Sequence, residues 1–180
     1  MTIMADEKRD DRGYTLVELV AVIAIMVVMV GVLTFSMTMV FNQDAQRAAN
    51  LINSELQEAR MLSMSKSGDI VMRIHTTASD PKGYKIDITG GSVNRSLSID
   101  GSVSISLTCG GTAVTGAGAY KDITVKFDKT NGSIKEIKGV SPVTLVTDKT
   151  YEIVIVGQRG TGHTAKVIIA PNTGRHFVEE

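Results

Sequence analysis

The chain has 180 residues, with 19 basic and 19 acidic side chains and a formal net charge of zero. This length fits one ordinary domain. The balanced charge excludes a chain-wide basic surface of the kind that nucleic-acid binding requires. The single cysteine, Cys109, excludes an intramolecular disulfide and a metal site built from thiolates. We therefore expect a protein that is held together by its core and has no cofactor.

The N-terminal region changes abruptly from charged to apolar. Residues 1–13 are polar, and the 25 residues from Leu19 to Gln43 contain no Asp, Glu, Lys, Arg or His. As a helix this run would be about 37 Å long, enough to cross a hydrocarbon core of about 30 Å. It is too long for a secretory signal, and no small-x-small cleavage site follows it. The run predicts a single-pass anchor, and the basic residues before it favour a cytoplasmic N-terminus.

The segment 42–67 predicts an amphipathic helix. Its apolar residues are spaced three or four apart, and Gly68 is a reasonable stop. Neither Pro nor Gly interrupts residues 32–67, so we expect one continuous helix from about Tyr14 to about Ser67. The apolar half, 14–41, would cross the membrane, and the second half would bury one stripe: Ala45, Ala48, Ala49, Ile52, Leu56, Ala59 and Leu62.

The remainder of the chain, 68–180, predicts an antiparallel β head of six to nine short strands. Alternating or β-branched runs mark six of the strands: 69–74, 84–88, 103–107, 123–127, 151–156 and 165–170. Asn131-Gly132 lies between two such runs and indicates a hairpin, whereas the Gly/Ala/Thr-rich segment 109–120 indicates a flexible loop. The helix stripe needs a surface to cover, so we expect an α+β fold in which the helix packs on an antiparallel sheet.

Glu18 is the one acidic residue in the apolar stretch "RGYTLVELVAVIAIMVVMVGVLTF" (12–35). A carboxylate at the centre of a bilayer costs about 2.5–3.5 kcal/mol on insertion scales, and less near the edge. Glu18 could simply lie at the membrane interface, where a charge is tolerated. It could also have a functional partner, and the residues alone leave both readings open.

The stretch "RG-YTLVEL" resembles the cleavage motif of type IV prepilins and type II secretion pseudopilins. The resemblance implies a leader, residues 1–13, that prepilin peptidase removes by cutting after Gly13. Tyr14 would then be the N-methylated first residue, in place of the usual Phe, and Glu18 would be the fifth. Phe35 stands where many of these proteins have a helix-breaking Pro, a departure from the pattern.

The resemblance also implies a partner for Glu18. In an assembling filament this carboxylate is expected to meet the N-terminal amine of Tyr14 in a neighbouring subunit. The implied partners are prepilin peptidase, other pilin or pseudopilin subunits, the assembly platform protein and the cytoplasmic membrane. The implied location is the cytoplasmic membrane first, with the C-terminal domain outside, and then a surface pilus or pseudopilus.

Later segments are similar to minor pilins and pseudopilins of the GspH/FimT type, and to the competence pilin of Gram-positive bacteria with this fold. In "LINSELQEARMLSMSKSGDIVMRI" (51–74), Leu56, Ala59 and Arg60 match a helix pattern of that family. "ITVKFDKTNGSI" is similar to its Phe-containing strand and Gly turn. "KVIIAPNTGRHFVE" (166–179) is similar to its closing strand, with Gly174-Arg175 at the turn. We therefore expect the type IV pilin fold and a minor subunit.

Some members of this family bind DNA through a C-terminal Gly-Arg-x-Arg pattern. Here Phe177 replaces the second Arg, and two glutamates follow, which a phosphate-binding tail would not favour. Basic residues that could still cluster are Arg159, Lys166, Arg175 and His176. We expect these to be solvated strand and loop residues, so DNA is a less favoured partner.

The sequence shows no motif of an enzyme. The Gly-rich segment 157–162 leads into a strand instead of a helix, so it indicates a hairpin turn and not a phosphate site. His75, His163 and His176 lack metal-ligand spacing, and no nucleophile motif is visible. We expect the substrate of an enzyme, not an enzyme. Two alternatives stay open beside the DNA-capturing pilin: a major pilin, and a plain membrane-anchored β-domain that keeps its leader.

Overall fold

The computed structural model describes residues 15–66, 68–77, 80–99, 102–114, 122–139, 148–159 and 162–179. Within these ranges the side chains of residues 33–42, 77 and 80–82 are not described. The chain divides into two compact units, Met1–Met37 and Thr38–Glu180.

The helix α1 (Leu16–Ser65) has 50 residues, and its ends lie within two residues of the predicted ones. Its second half contributes a buried stripe in which Ile52, Leu56 and Ala59 have no exposed surface. Ala45, Ala48 and Ala49 are also buried, and Leu62 is partly buried against the core. The stripe belongs to the hydrophobic core, as the three-and-four spacing predicts.

Ten strands follow the helix in the described part of the chain, all paired antiparallel. They are β1 (Val71–Thr77), β2 (Asp80–Gly90), β3 (Val93–Ile99), β4 (Val103–Cys109), β5 (Thr112–Ala113), β6 (Asp122–Phe127), β7 (Ile134–Lys138), β8 (Tyr151–Gly157), β9 (Thr164–Ala170) and β10 (Arg175–Glu179). Sheet A has the order β3-β2-β1-β6-β7, and sheet B has the order β10-β9-β8-β4-β5.

The core combines the helix stripe with one face of each sheet. Residues of β4, β6 and β8 alternate between buried and half-buried along their length. This period of two places every second side chain in the core. The structure therefore has an N-terminal helix and antiparallel sheets, which confirms the predicted α+β class.

All six predicted strand segments form strands, but the predicted single sheet of six to nine strands is wrong. The structure has two sheets with ten strands among the described residues. The sequence reading missed β3 because its residues Asn94, Arg95 and Ser96 are polar and exposed. It missed β5 because only two residues of the Gly-rich loop pair there.

The predicted hairpin at Asn131-Gly132 joins β6 to β7. Gly132 has a φ of 67°, a left-handed conformation that favours glycine. The N–H of Asp128 donates to the carbonyl of Ser133 at 2.7 Å, and the N–H of Gly132 donates back to Asp128 at 2.9 Å. The Asp128 carboxylate also accepts from the N–H of Thr130 at 2.7 Å. These local bonds close the turn.

Candidate functional site

The first turn of α1 is capped by Thr15. The N–H of Glu18 donates to the Thr15 hydroxyl at 3.3 Å, and the N–H of Leu19 donates to the Thr15 carbonyl at 3.1 Å. Thr15 and Glu18 thus have the spacing of a capping box, S/T-x-x-E. An acid in the first turn is also favoured by the helix dipole. Local chemistry therefore fixes Glu18 one turn inside the helix, close to the predicted cleavage point.

Gly13 and Tyr14, the predicted cleavage and methylation residues, lie outside the described residues. The predicted pair between Glu18 and the Tyr14 amine therefore stays a prediction. The large apolar side chains from Leu16 to Val32 are exposed in the structure, between 43% at Val22 and 79% at Leu16. Among the described residues, no helix reaches the length and apolarity of a membrane span.

The four candidate DNA-contacting residues do not converge in the structure. Arg175 pairs with Ala170 at one end of the β9–β10 ladder, whereas Lys166 pairs with Glu179 at the other end. Four residues of strand separate these positions, about 13 Å. The Lys166 ammonium lies 3.5 Å from Glu152, and Arg159 is exposed in the β8–β9 connection. The described geometry therefore places acids beside Lys166 and gives no joint phosphate site.

His176 faces the interior. Its Nδ1–H donates to the Gly174 carbonyl at 3.1 Å, and its Nε2 is buried without a hydrogen-bond partner among the described residues. Burial lowers the pKa of His176 below its usual value of 6.5, and the nearby Arg60 charge acts in the same direction. A neutral imidazole at this position suits a packing role better than a phosphate contact.

Arg60 connects the helix to both sheets. Its Nε–H donates to the Gly132 carbonyl in the β6–β7 turn at 3.0 Å, and its Nη2–H donates to the Thr173 carbonyl in the β9–β10 turn at 2.9 Å. A Cβ on Gly174 would lie 1.8 Å from the Gly132 carbonyl oxygen, so the two turns are in close contact. Sequence reasoning matched Arg60 to a family pattern but did not predict this role, because both acceptors are main-chain atoms.

Comparison with known proteins identifies the N-terminal segment. The family profile of the prokaryotic N-terminal methylation motif matches residues 8–34, which include Gly13, Tyr14 and Glu18. Comparisons with curated proteins and with solved structures give no match. In the described part of the chain, no group of three His, Cys, Asp or Glu residues could hold a metal ion. The N-terminal methylation motif, together with the helix-plus-sheets architecture, supports a type IV pilin-like protein.

Proposed function

We propose that this chain is a type IV pilin-like precursor of the minor-pilin or pseudopilin type. Prepilin peptidase would cleave it after Gly13, Tyr14 would be N-methylated, and the product would be built into a pilus or pseudopilus. The observation that carries the proposal is the methylation motif over residues 8–34. The chain is in this view a substrate and a structural subunit, not an enzyme.

The charge chemistry of the helix start supports this function. Cleavage would create an α-amine on Tyr14, with an ordinary pKa of about 8, so it is charged at neutral pH. N-methylation keeps that charge. In a dry helix bundle an unpaired carboxylate is strongly unfavourable, and removing one partner of a buried pair costs about 3–5 kcal/mol. Pairing of Glu18 with the amine of a neighbouring subunit would therefore select the correct register of assembly.

The exposed apolar side chains of residues 16–32 supply a reason for both membrane insertion and assembly. A surface of this kind needs an apolar environment. In our proposal, residues 14–41 cross the cytoplasmic membrane before assembly and pack in the filament core afterwards. The β head would lie outside the membrane and contact neighbouring subunits. The peptidase, the assembly platform protein and other pilin subunits are the proposed partners.

The subtype rests on two short patterns that meet in the fold. Arg60 belongs to the helix pattern that resembles GspH/FimT-type subunits, and Gly174 belongs to the closing-strand pattern. The Arg60 guanidinium donates to the carbonyl of Thr173, which directly precedes Gly174. The two segments that resemble this family are thus joined by one hydrogen bond. The DNA-capturing alternative has less support, because Arg175 and Lys166 lie at opposite ends of the β9–β10 ladder and Arg159 lies outside it.

The test is quantitative mass spectrometry of sheared surface filaments, which gives the copy number and the N-terminal peptide together. We expect a peptide that begins at methylated Tyr14 and a copy number far below that of the main pilin. Dominance of this chain would make it a major pilin. Absence from filaments would leave a short pseudopilus or the plain membrane anchor. An unprocessed leader on the membrane-bound chain would contradict the proposal.

Three variants distinguish the role of the Glu18 charge from the role of Glu18 in the helix cap. Glu18→Gln removes the charge but keeps a residue that suits a capping box. We expect it to be cleaved normally and to lose at least about tenfold in filament incorporation, because a buried amine is left unpaired. Glu18→Asp keeps the charge, and Thr15→Val removes the cap but keeps Glu18. If Thr15→Val lowers incorporation and Glu18→Gln does not, the helix cap and not the charge pair is the functional element.

A further inference from the structure

The turn between β6 and β7 contains the groups for a spontaneous chemical modification. Asn131 is the one asparagine of the chain that a glycine follows. In such a pair the backbone nitrogen of the glycine can attack the side-chain amide carbon of the asparagine, because glycine has no side chain to hinder the approach. Asn131 is exposed in the structure, so water reaches its carboxamide. The pair is therefore a candidate for deamidation.

The reaction involves these two residues and water. The Gly132 nitrogen gives its proton to water and bonds to Cγ of Asn131. The Cγ–Nδ2 bond breaks, and the amide nitrogen takes up a proton and leaves as ammonia. Water then opens the cyclic succinimide at Cγ, which gives aspartate, or at the main-chain carbonyl carbon of residue 131, which gives isoaspartate. No atom is oxidised or reduced, so the reaction needs only water.

Both reacting groups are held by hydrogen bonds in the folded turn. The N–H of Gly132 donates to the carbonyl of Asp128 at 2.9 Å, so the attacking nitrogen is occupied. The Oδ1 of Asn131 accepts from the N–H of Ser133 at 2.9 Å, which fixes the orientation of the carboxamide. Gly132 is buried, whereas Asn131 is exposed. The attack therefore requires that the turn opens first.

Arg60 of α1 holds this turn in place from the helix side. Its Nε–H donates to the Gly132 carbonyl at 3.0 Å, and its Nη2–H donates to the Thr173 carbonyl at 2.9 Å. A Cβ on Gly132 would lie 2.8 Å from the Arg60 Nε and 2.9 Å from the Met64 sulfur, so both side chains cover the glycine. Hydrogen bonds from a charged donor are stronger than those from a neutral one. The population of the open turn therefore depends on Arg60.

We propose that Asn131 is a deamidation site and that the contact between Arg60 and the β6–β7 turn controls its rate. The folded turn slows the reaction, and each local opening of the turn permits it. Only this chain and water take part, so the inference goes beyond the proposed function and does not depend on it.

The product would weaken the contact that controls its formation. Isoaspartate adds one carbon to the main chain just before Gly132, and either product adds a negative charge at position 131. The Gly132 carbonyl has no room to move toward Gly174, because a Cβ on Gly174 would lie 1.8 Å from its oxygen. Isoaspartate formation should therefore displace this carbonyl from Arg60. Older chains would then have a weaker attachment of α1 to the β6–β7 turn.

Timed incubation of the full-length chain in detergent and mildly alkaline buffer tests the site. Peptide mapping by mass spectrometry follows every asparagine, and electron-transfer fragmentation distinguishes isoaspartate from aspartate. We expect position 131 to convert first, and at least about tenfold faster in urea than in the folded chain, since the turn is then open. Asn53, which precedes Ser54 inside α1, is the internal control. Earlier conversion of another asparagine, or equal rates with and without urea, would overturn the proposal.

Two arginine variants test the control by Arg60. Arg60→Gln removes the charged donor, whereas Arg47→Gln removes a guanidinium of the same helix that donates to Gln43 at 2.8 Å. We expect Arg60→Gln to raise the folded-state rate at position 131 about three- to tenfold, the effect of one hydrogen bond on an opening equilibrium. Arg47→Gln should leave the rate unchanged. Equal rates in the two variants would contradict the role of Arg60.

Hydrogen exchange separates opening of the turn from unfolding of the whole unit. In Arg60→Gln, exchange of the Gly132 N–H should rise by the same factor as deamidation, because both require the open turn. Exchange in β1, the central strand of sheet A, should stay at its original rate. If exchange in β1 rose by the same factor, the variant would act through global unfolding, and control by the turn contact would be wrong.

Discussion

On the outer face of sheet A, opposite charges meet across neighbouring strands, whereas the outer face of sheet B combines one such pair, Lys166 with Glu152, with a group of apolar side chains. In sheet A, Arg73 donates to Asp122 at 2.8 Å, and His75 Nε2 lies 2.6 Å from Asp87. Each pair joins β1, the central strand, to a neighbouring strand: Arg73 to β6 and His75 to β2. A surface whose charges are paired and hydrated resists association with other proteins.

The outer face of sheet B carries Val154, Val156, Ile168 and Phe177. The first three are half-buried and alternate with fully buried core residues, and Phe177 is the most exposed. Because the inner faces of both sheets are similar, the difference is not required by the core. It indicates that sheet B offers more apolar outer surface for contacts than sheet A.

The largest expected effect on stability comes from substituting a phenylalanine of each sheet, one buried and one exposed. Phe127 ends β6 in sheet A and is 4% exposed, whereas Phe177 in sheet B is 54% exposed. Phe127→Ala should destabilise the Thr38–Glu180 unit by about 3–5 kcal/mol. Phe177→Ala, the matched control, should change stability by less than about 0.5 kcal/mol. Urea unfolding measures both. Equal losses would mean that the ring of Phe177 belongs to the core.

The next effect concerns the point where the two sheets meet. Gly174→Ala would place a Cβ 1.8 Å from the Gly132 carbonyl oxygen, next to the Arg60 bonds. We expect a loss of about 2–3 kcal/mol, because overpacking adds to the strain of a φ of 63°.

Gly111→Ala is the control for this substitution. Gly111 has a φ of 82° and nothing near its would-be Cβ. Alanine at this position would have the backbone strain of a positive φ but no steric clash, and we expect it to cost about 1 kcal/mol of stability. If both glycines gave the same loss in urea unfolding, the contact between the two turns would not be stabilising.

A smaller, pH-dependent effect should separate sheet B from sheet A. Burial lowers the pKa of His176, so the folded state disfavours the protonated imidazole. The unfolded state then binds more protons below its pKa of about 6.5. The stability from neutral His176 is present above this pH and is lost as the pH falls through the folded pKa. Unfolding from pH 7 to pH 5 should show this loss, and His176→Gln should reduce it. An unchanged slope in His176→Gln would assign the effect to another group.

Acid sensitivity of sheet A should begin at lower pH. Hydrogen bonds from Lys126 and Lys138 lower the pKa of Glu136 to about 2. A depressed carboxylate pKa gives stability that is present above about 4.5 and is lost as the pH falls toward the folded pKa. The stability contributions of His176 in sheet B and Glu136 in sheet A are therefore lost in different pH ranges. A loss of stability between pH 7 and pH 5 can then be assigned to His176 and not to Glu136.

The sequence predicted those features that depend on local pattern. Alternating or β-branched runs identified six strands, and the spacing of Ile52, Leu56 and Ala59 identified the buried helix face. The N-terminal motif was predictable because it is defined by residue identities at fixed spacing. The division into two sheets was not predictable, because it depends on pairings such as β1 with β6 and β4 with β8, about 50 residues apart. The two hydrogen bonds of Arg60 could not be predicted from the sequence, because their acceptors are main-chain carbonyls. Every residue has such a carbonyl, so no residue type indicates the acceptor.

The smallest expected effect tests the sheet A surface itself. Arg73→Ala removes the pair with Asp122, in which the Arg73 side chain is 52% exposed. Solvent screening limits such a pair to about 0.2–1 kcal/mol of stability.

The difference between the outer faces of the two sheets predicts a second effect. Removing the paired charges should make sheet A more prone to associate with other molecules. Arg73→Ala with Asp122→Ala keeps the net charge and should raise self-association in light scattering, whereas Lys166→Ala with Glu152→Ala in sheet B, the matched pair, should alter it less. The reverse order would mean that paired charges do not keep sheet A solvated, and the apolar character of sheet B would then no longer distinguish it as the contact face.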